Sequence, residues 1–265
     1  MNNNESFSMG RLGLLLKKEV FYQRRAPWII IGGVFIMLLM FHLLMASESP
    51  GDIDLPSNHI IFYIVGLTLL GAIFTSASFN ELNNKSSALH YLSIPASTLE
   101  KLVSKWLVTG IIYVIAFNVF YFLFTVLSNI LTTALFGVSA PTFNPFEKQV
   151  QLDLMSPFFI SKLYLALHTT YLAGAVCFRK YAYFKTIIAH TFITLIMVGL
   201  ISIVASVIFS SFIGENLANV RITQEGWLFK SFGDLLPTIG KLLLWVVLPL
   251  WMLSYSYFKL KETEV

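Results

Sequence analysis

Long apolar stretches without charged residues dominate the pattern of this chain. Six runs lack Asp, Glu, Lys and Arg, and the longest of them, between Lys105 and Glu147, contains 41 residues. Because about 20 mostly apolar residues cross the core of a bilayer as a helix, each run can supply one membrane span. We therefore predict an all-α membrane protein with six transmembrane helices, at residues 27–46, 59–80, 106–132, 157–178, 186–212 and 239–258.

Two of these spans need a further argument. The longest run has room for two spans, but the sequence from Gly137 to Pro141 is typical of a loop and favours a single span at 106–132. The fourth span contains Lys162 near its start, where a lysine can extend its ammonium group to the membrane interface. We expect both segments to form one span each.

The distribution of basic residues predicts the orientation of the chain. Of the 18 Lys and Arg residues, 13 lie in the N-terminal tail (1–26), the loops after spans two and four, and the C-terminal tail (259–265). Cytoplasmic segments of membrane proteins carry such an excess of positive charge. We therefore predict that both termini lie in the cytoplasm, on either side of a transmembrane domain at 27–258, and that the loop at 80–105 is cytoplasmic too.

The N-terminal tail has the pattern of an amphipathic helix from about residue 10 to residue 26. On a helical wheel its apolar residues Leu12, Leu15, Leu16 and Val20 lie mostly opposite the basic residues. Such a helix can lie at the cytoplasmic interface, bound to anionic lipid headgroups. The alternative is a basic flank of span one that happens to be helical. The basic residues of this predicted interfacial helix are Arg11, Lys17, Lys18, Arg24 and Arg25.

The loop at 80–105 has the signals of a structured helix–turn–helix. Pro95 divides it into two parts, because proline cannot continue a helix. Ser97 and Glu100 have the spacing of a capping box, in which each side chain accepts a hydrogen bond from the other residue's backbone amide. The second helix is expected to continue through Lys105 into span three.

Composition agrees with a membrane protein and offers no catalytic motif. Only 12% of the residues are charged, against about 25% in a typical soluble domain. The net charge of +4 follows from the topology and gives no reason to expect nucleic acid. The sequence contains no phosphate-binding loop, no H-E-x-x-H and no G-x-S-x-G, and it has one cysteine. We predict that the chain is not an enzyme and binds no metal or cofactor itself.

A few polar residues fall inside the predicted spans. Asn118, His168, Thr169 and Thr170 are candidates for lining a substrate path, although hydrogen bonding between helices is the alternative for each. No Asp or Glu lies deep in any predicted span, which weakens the case for a carrier driven by protons or sodium ions. If the protein moves a cargo, its energy must come from another subunit.

The loop at 80–105 also resembles a segment of the permease subunits of ABC-2 type transporters. The matching residues are Ser93-Ile94-Pro95-Ala96-Ser97, then Glu100-Lys101, then Lys105-Trp106. Ile94 replaces the usual leucine, and Thr98 stands where a basic residue is common. The six spans and the N-terminal amphipathic helix agree with this family.

The resemblance implies a multi-pass protein of the bacterial inner membrane that pairs with a second permease copy. Cytoplasmic ATPase subunits would bind ATP and Mg²⁺ and drive transport, and the outer segment at 214–238 would resemble the family's re-entrant helices. The loop at 80–105 would couple ATPase movements to the spans, with Lys85, Glu100 and Lys101 at the rim of the contact. The full set of implied coupling residues is Lys85, Tyr91, Ser93, Pro95, Ser97, Glu100, Lys101 and Lys105.

The nature of the cargo is only weakly constrained. Spans that offer Ser, Thr and aromatic side chains, with no deep charge, favour an amphipathic or lipid-like substrate. Three other functions remain as alternatives: a membrane assembly or scaffold subunit with the same fold, an intramembrane enzyme, and a secondary carrier or channel.

Overall fold

The computed structural model describes residues 7–22, 33, 35–44, 61–137, 157–178, 180–213 and 238–264. These residues are almost entirely helical, and no β-strand occurs among them. The all-α prediction is therefore confirmed for the described part of the chain. Arg24, Arg25 and the segment at 214–237 lie outside it.

The described helices follow the order of the predicted elements. The N-terminal helix α1 is Met9–Tyr22, and the short helices α2 and α3 are Phe35–Leu44 and Ile61–Ser76. A 3₁₀ turn, Asn80–Asn83, leads to α4, which is Lys85–Leu92. The remaining helices are α5 (Thr98–Phe136), α6 (Pro157–Cys177), α7 (Ala182–Ile213) and α8, which begins at Thr238 and ends with the segment Leu248–Glu264.

Three of the described helices are long and apolar enough to cross a membrane. They are α5, the stretch Ala182–Val204 of α7, and the stretch Thr238–Thr263 of α8. The stretches in α7 and α8 expose apolar side chains such as Phe192, Leu200 and Leu250, as lipid-facing helices do. The protein is thus a helical membrane protein.

The described parts of the other predicted spans are largely helical but do not meet the same measure. Among described residues, α2 and α3 cover parts of the first and second predicted spans and are shorter apolar helices. Helix α6, in the fourth predicted span, has 21 residues and is long enough, so its polar composition sets it apart. The described part of the 41-residue run, up to residue 137, forms one continuous helix, which agrees with the prediction of a single span at 106–132.

Helix α6 occupies the centre of the bundle and packs against α3, α5, α7 and α8. Its contacts with α3 and α5 contain a cluster of buried aromatic residues that includes Tyr63, Phe117, Tyr121 and Tyr164. The Tyr164 hydroxyl donates to the Thr109 carbonyl at 2.9 Å. Such hydrogen bonds satisfy buried polar groups that lipid could not.

Gly137 and Gly174 lie where another residue would be unfavourable, for different reasons. Gly137 ends α5 with φ at 69°, a left-handed conformation that favours glycine, and this agrees with the predicted loop. Gly174 of α6 lies against Thr186 of α7, and a Cβ atom at Gly174 would collide with the Thr186 side chain. The small residue therefore allows α6 and α7 to approach each other closely.

The segments predicted to be cytoplasmic meet at one end of the bundle. A second buried cluster joins Phe79 and Tyr91, around the loop at 80–105, to Val176 at the end of α6 and to Leu260 near the C-terminus. Helix α1 packs on the beginning of α5 at the same end. This arrangement positions the candidate site.

Candidate functional site

The loop at 80–105 folds as the local sequence predicts. Helix α4 ends at Leu92, the turn contains Pro95, and α5 begins after Ser97. The capping box is present: the Glu100 amide donates to Ser97 Oγ at 3.2 Å, and the Ser97 amide donates to Glu100 Oε2 at 2.9 Å. The predicted helix–turn–helix is thus confirmed.

Glu100 binds the N-terminal helix as well as its own helix. The Arg11 guanidinium donates to both of its oxygens, with Nη2 at 2.9 Å from Oε1 and Nε at 3.1 Å from Oε2. The Ser8 amide, just before α1, also donates to Oε1. One carboxylate therefore satisfies donors at the beginnings of two helices, where a negative charge is favourable.

These contacts determine the ionisation of Glu100. Glu100 precedes the predicted span at 106–132. Helix α5 has 39 residues and is about 58 Å long, whereas the membrane core is about 30 Å thick, so the first turns of α5 lie outside the membrane. Burial alone would raise the pKa of Glu100, but the hydrogen bonds from Arg11, Ser8 and Ser97 outweigh it and lower the pKa. The carboxylate is therefore held in its charged form.

Lys105 is a buried cation at the meeting point of three segments. Its side chain is 2% exposed, and its Nζ lies 2.8 Å from Glu19 Oε2 of α1 and 3.2 Å from both oxygens of Glu81 in the 3₁₀ turn. The rings of Phe79 and Tyr91 lie 5.9 and 5.5 Å from the same nitrogen. A buried charge requires such partners, since its transfer from water is costly.

Lys101 connects the two helices of the loop on its buried side. Its Nζ donates to the Leu92 carbonyl at the end of α4 at 3.2 Å and lies 5.7 Å from the centre of the Tyr91 ring. Glu100, Lys101 and Tyr91 are all buried. The structure therefore buries Glu100 and Lys101 within the chain, which differs from the position at the rim of an ATPase contact that was expected for them.

The exposed side of the loop is formed by other residues. Leu89 is 71% exposed and Leu99 is 43% exposed, although both are apolar. Lys85, Ser93 and Pro95 are exposed on the same helix–turn–helix. We call this set the outer loop surface; its residues are Lys85, Ser86, Leu89, His90, Ser93, Pro95 and Leu99.

Helix α1 turns its apolar face toward the protein. Leu12, Leu15 and Glu19 are buried where α1 packs on α5, whereas Leu14 and Lys17 are exposed on the other side. The two ion pairs, Arg11–Glu100 and Glu19–Lys105, follow the same order along both helices, so α1 and α5 run in the same direction. Between the pairs α1 rises by about 12 Å and α5 by about 7.5 Å, so the helices cross obliquely. Lys18 is half-buried on the flank of α1.

The polar residues of the predicted spans make hydrogen bonds within the bundle. Asn118 accepts from the Tyr63 hydroxyl at 2.9 Å, and His168 Nε2 lies 2.7 Å from Thr109 Oγ1. The hydroxyls of Thr169 and Thr170 donate to carbonyls of their own helix, and both residues are buried with His168. As placed, Asn118 and His168 bond to side chains of neighbouring helices, whereas Thr169 and Thr170 bond within α6.

Two residues of the site were missed by the sequence analysis. Glu19 and Glu81 are the partners of Lys105, and they precede it in sequence by 86 and 24 residues. The available signal was Lys105 itself, because a lysine at the start of an apolar run needs a counter-charge if it is buried. Glu19 lies on the same face of the helical wheel as Leu12 and Leu15, so it was the candidate for that counter-charge.

The site holds charged side chains in fixed positions. Within the described residues, no three His, Cys, Asp or Glu side chains come together as ligands for a metal ion. The arrangement fixes α1, the 3₁₀ turn and α4 to the beginning of one long helix. A force applied to the outer loop surface would therefore reach several helices together.

Comparison with known proteins gives no assignment. No protein-family model matches the chain, and no curated protein or solved structure shows significant similarity to it.

Proposed function

We propose that this chain is the membrane-spanning permease subunit of an ATP-driven transporter of the ABC-2 type. It would have six spans, both termini in the cytoplasm of a bacterial cell, and a second permease copy as its partner. Separate ATPase subunits would bind ATP and Mg²⁺ and drive the movement of an amphipathic or lipid-like cargo.

One observation carries the proposal: a buttressed helix–turn–helix presents exposed apolar residues at the end of a helix long enough to cross the membrane. Leu89 and Leu99 extend outward. Behind them, Lys101 bonds to the end of α4, and Lys105 bonds to the 3₁₀ turn. Exposed apolar residues on a firmly held element are typical of a surface that binds a partner protein.

The rear contacts suggest how movement would be transmitted. The cluster that includes Tyr91 also contains Leu102 of α5, Leu172 of α6 and Leu260 of α8. Displacement of the outer loop surface by an ATPase would thus reach α6 and α8 as well as the helices on either side of the loop. In packed helices such displacements proceed as small shear and tilt movements.

The test is affinity purification of the tagged chain from its native membranes in mild detergent, followed by mass spectrometry. We expect the wild-type chain to recover an ATPase with nucleotide-binding motifs, and the variant Leu89→Glu to lose at least about 90% of it, because a charge would be buried in the contact. Tyr181→Glu is the matched control, since Tyr181 is 77% exposed between α6 and α7.

The opposite results would be equally informative. A wild-type preparation without an ATPase at any salt concentration would contradict the transporter proposal and favour a scaffold subunit. Full recovery of the ATPase with Leu89→Glu would show that the partner binds somewhere other than the outer loop surface.

A further inference from the structure

The contact between α1 and α5 consists of two charged pairs and a small apolar face. Arg11 pairs with Glu100, and Glu19 pairs with Lys105. Leu12 and Leu15 are buried between these pairs. In each pair, the residue on α5 is nearly inaccessible to solvent: Glu100 is 0% and Lys105 is 2% exposed.

Each buried charge on α5 also has a partner that does not belong to α1. Glu100 accepts from the Ser97 amide, and Lys105 donates to Glu81. Removing the sole partner of a buried charge is strongly destabilising. Because both charges keep a partner without α1, its departure avoids much of that cost.

The docked position of α1 also contains an unfavourable term. Glu19 and Glu81 both contact the ammonium group of Lys105, so two carboxylates lie close together around one cation. Like charges at such a distance repel each other, especially where little water is present. This repulsion disappears when Glu19 leaves with α1.

From this geometry we infer that α1 is a releasable strap with two positions. In the docked position it holds the first turns of α5, as the structure shows. In the released position Lys105 stays paired with Glu81, and Glu100 stays in its capping box. The inference concerns contacts within this chain and does not depend on an ATPase partner.

The sequence of α1 provides a place for the released helix. Its face with Leu12 and Leu15 needs an apolar surface, which is either α5 or the edge of the bilayer. Lys18 is half-buried beside this face and Lys17 is exposed on the opposite side of α1, and basic residues that flank an apolar face bind anionic headgroups. The interfacial helix predicted from the sequence therefore corresponds to the released position.

The test measures backbone hydrogen exchange of the full-length chain in nanodiscs of phosphatidylglycerol and phosphatidylcholine. Exchange of the α1 amides reports the opening of this element. We expect Glu19→Gln to speed their exchange about tenfold or more relative to wild type, because it removes a charged pair of the docked position. Glu81→Gln should favour the docked position. We expect the backbone amides of Leu12 and Leu15 to exchange about tenfold more slowly than in wild type.

The Glu81→Gln result is decisive because a static contact predicts the opposite sign. If Glu81 only supports a fixed cluster, its replacement loosens α1 or leaves it unchanged, and either outcome overturns the strap. The amides of α3, Ile61–Ser76, serve as the internal control for folding.

Arg11→Gln provides a second, independent measurement. It removes the outer pair and should increase the exchange of α1, while the amides of Ser97, Glu100 and Lys101 keep their protection because the capping box remains. Loss of protection in both segments would show that Glu100 cannot stay in place without α1, which contradicts the inference.

Discussion

Lys105 and Glu100 are charged side chains that point into the protein at the beginning of a membrane-crossing helix. Each is accommodated because several polar groups from different segments converge on it: Glu19 and Glu81 on Lys105, and Arg11 with two backbone amides on Glu100. Such buried ion pairs fix the relative positions of the segments more than they add to the free energy of unfolding. Their removal one partner at a time is therefore the informative experiment.

Lys105→Met should be strongly destabilising. In the docked position of α1 it leaves Glu19 and Glu81 close together without a counter-charge. Because release of α1 relieves part of this cost, we expect a loss of about 3 kcal/mol in the free energy of unfolding, at the lower end for a broken buried ion pair. The measurement is the denaturation midpoint in detergent. The triple variant Lys105→Met, Glu19→Gln, Glu81→Gln should recover most of the loss, because no buried charge remains. Equal midpoints for Lys105→Met and wild type would contradict the buried cluster.

The lowered pKa of Glu100 predicts a dependence of stability on pH. A carboxyl group whose pKa is lower in the folded chain contributes stability that is complete above the pKa of the unfolded chain. This contribution is lost as the pH falls through the lowered value. The stability difference between wild type and Glu100→Gln should thus be constant at neutral pH and disappear in acid. A difference that persists at the lowest pH would refute this assignment.

At the scale of elements, the bundle depends on close contact between helices that carry small residues where they cross. Helix α6 contacts α7 at Gly174 and Thr186, and it contacts α5 where His168 lies against Gly110. In a bilayer, association of helices relies on such close packing, since lipid tails are as apolar as the helices.

Gly174→Ala should separate α6 from α7 locally. The added methyl group collides with the Thr186 side chain, and overpacking of this kind costs about 1–3 kcal/mol. The denaturation midpoint should fall, and Thr186→Ala in the same chain should restore part of it by removing the colliding atoms. Gly13→Ala is the matched control, because no atom lies within 4 Å of a Cβ atom there. No effect of Gly174→Ala would mean that α6 and α7 are farther apart.

How much the sequence predicted depended on the range of the interactions. The capping box of Ser97 and Glu100 and the end of α5 at Gly137 involve residues within a single turn, so local patterns were enough. The partner of Lys105 is 86 residues away, and no local pattern connects them. The helical wheel identified the apolar face of Leu12 and Leu15, but periodicity does not tell whether protein or lipid covers such a face.

At the scale of the whole molecule, one end of the bundle gathers the segments that carry most of the basic residues. Helix α1, the loop at 80–105, the turn between α6 and α7 and the C-terminal end of α8 meet there. The positive-inside rule and the packing therefore agree about which segments share a side.

Labelling of single cysteines in intact cells tests the proposed orientation. In a Cys177→Ala background, Ser93→Cys and Lys261→Cys should resist a membrane-impermeant thiol reagent until the cells are opened. Ser139→Cys, after α5, should react in intact cells. Labelling of Ser93→Cys and Ser139→Cys from the same side would rule out the six-span arrangement.

The polarity of α6 has a consequence for how the protein is made. Its hydrophobicity is too low for it to count among the candidate spans, because it carries Ser161, His168 and Thr169, which the folded bundle buries. Ser161 bonds to Tyr63 of α3, and His168 bonds to Thr109 of α5. On its own at the translocon, α6 would enter lipid poorly. Its integration during synthesis should therefore depend on α3 and α5, which emerge from the ribosome first and supply those bonding partners.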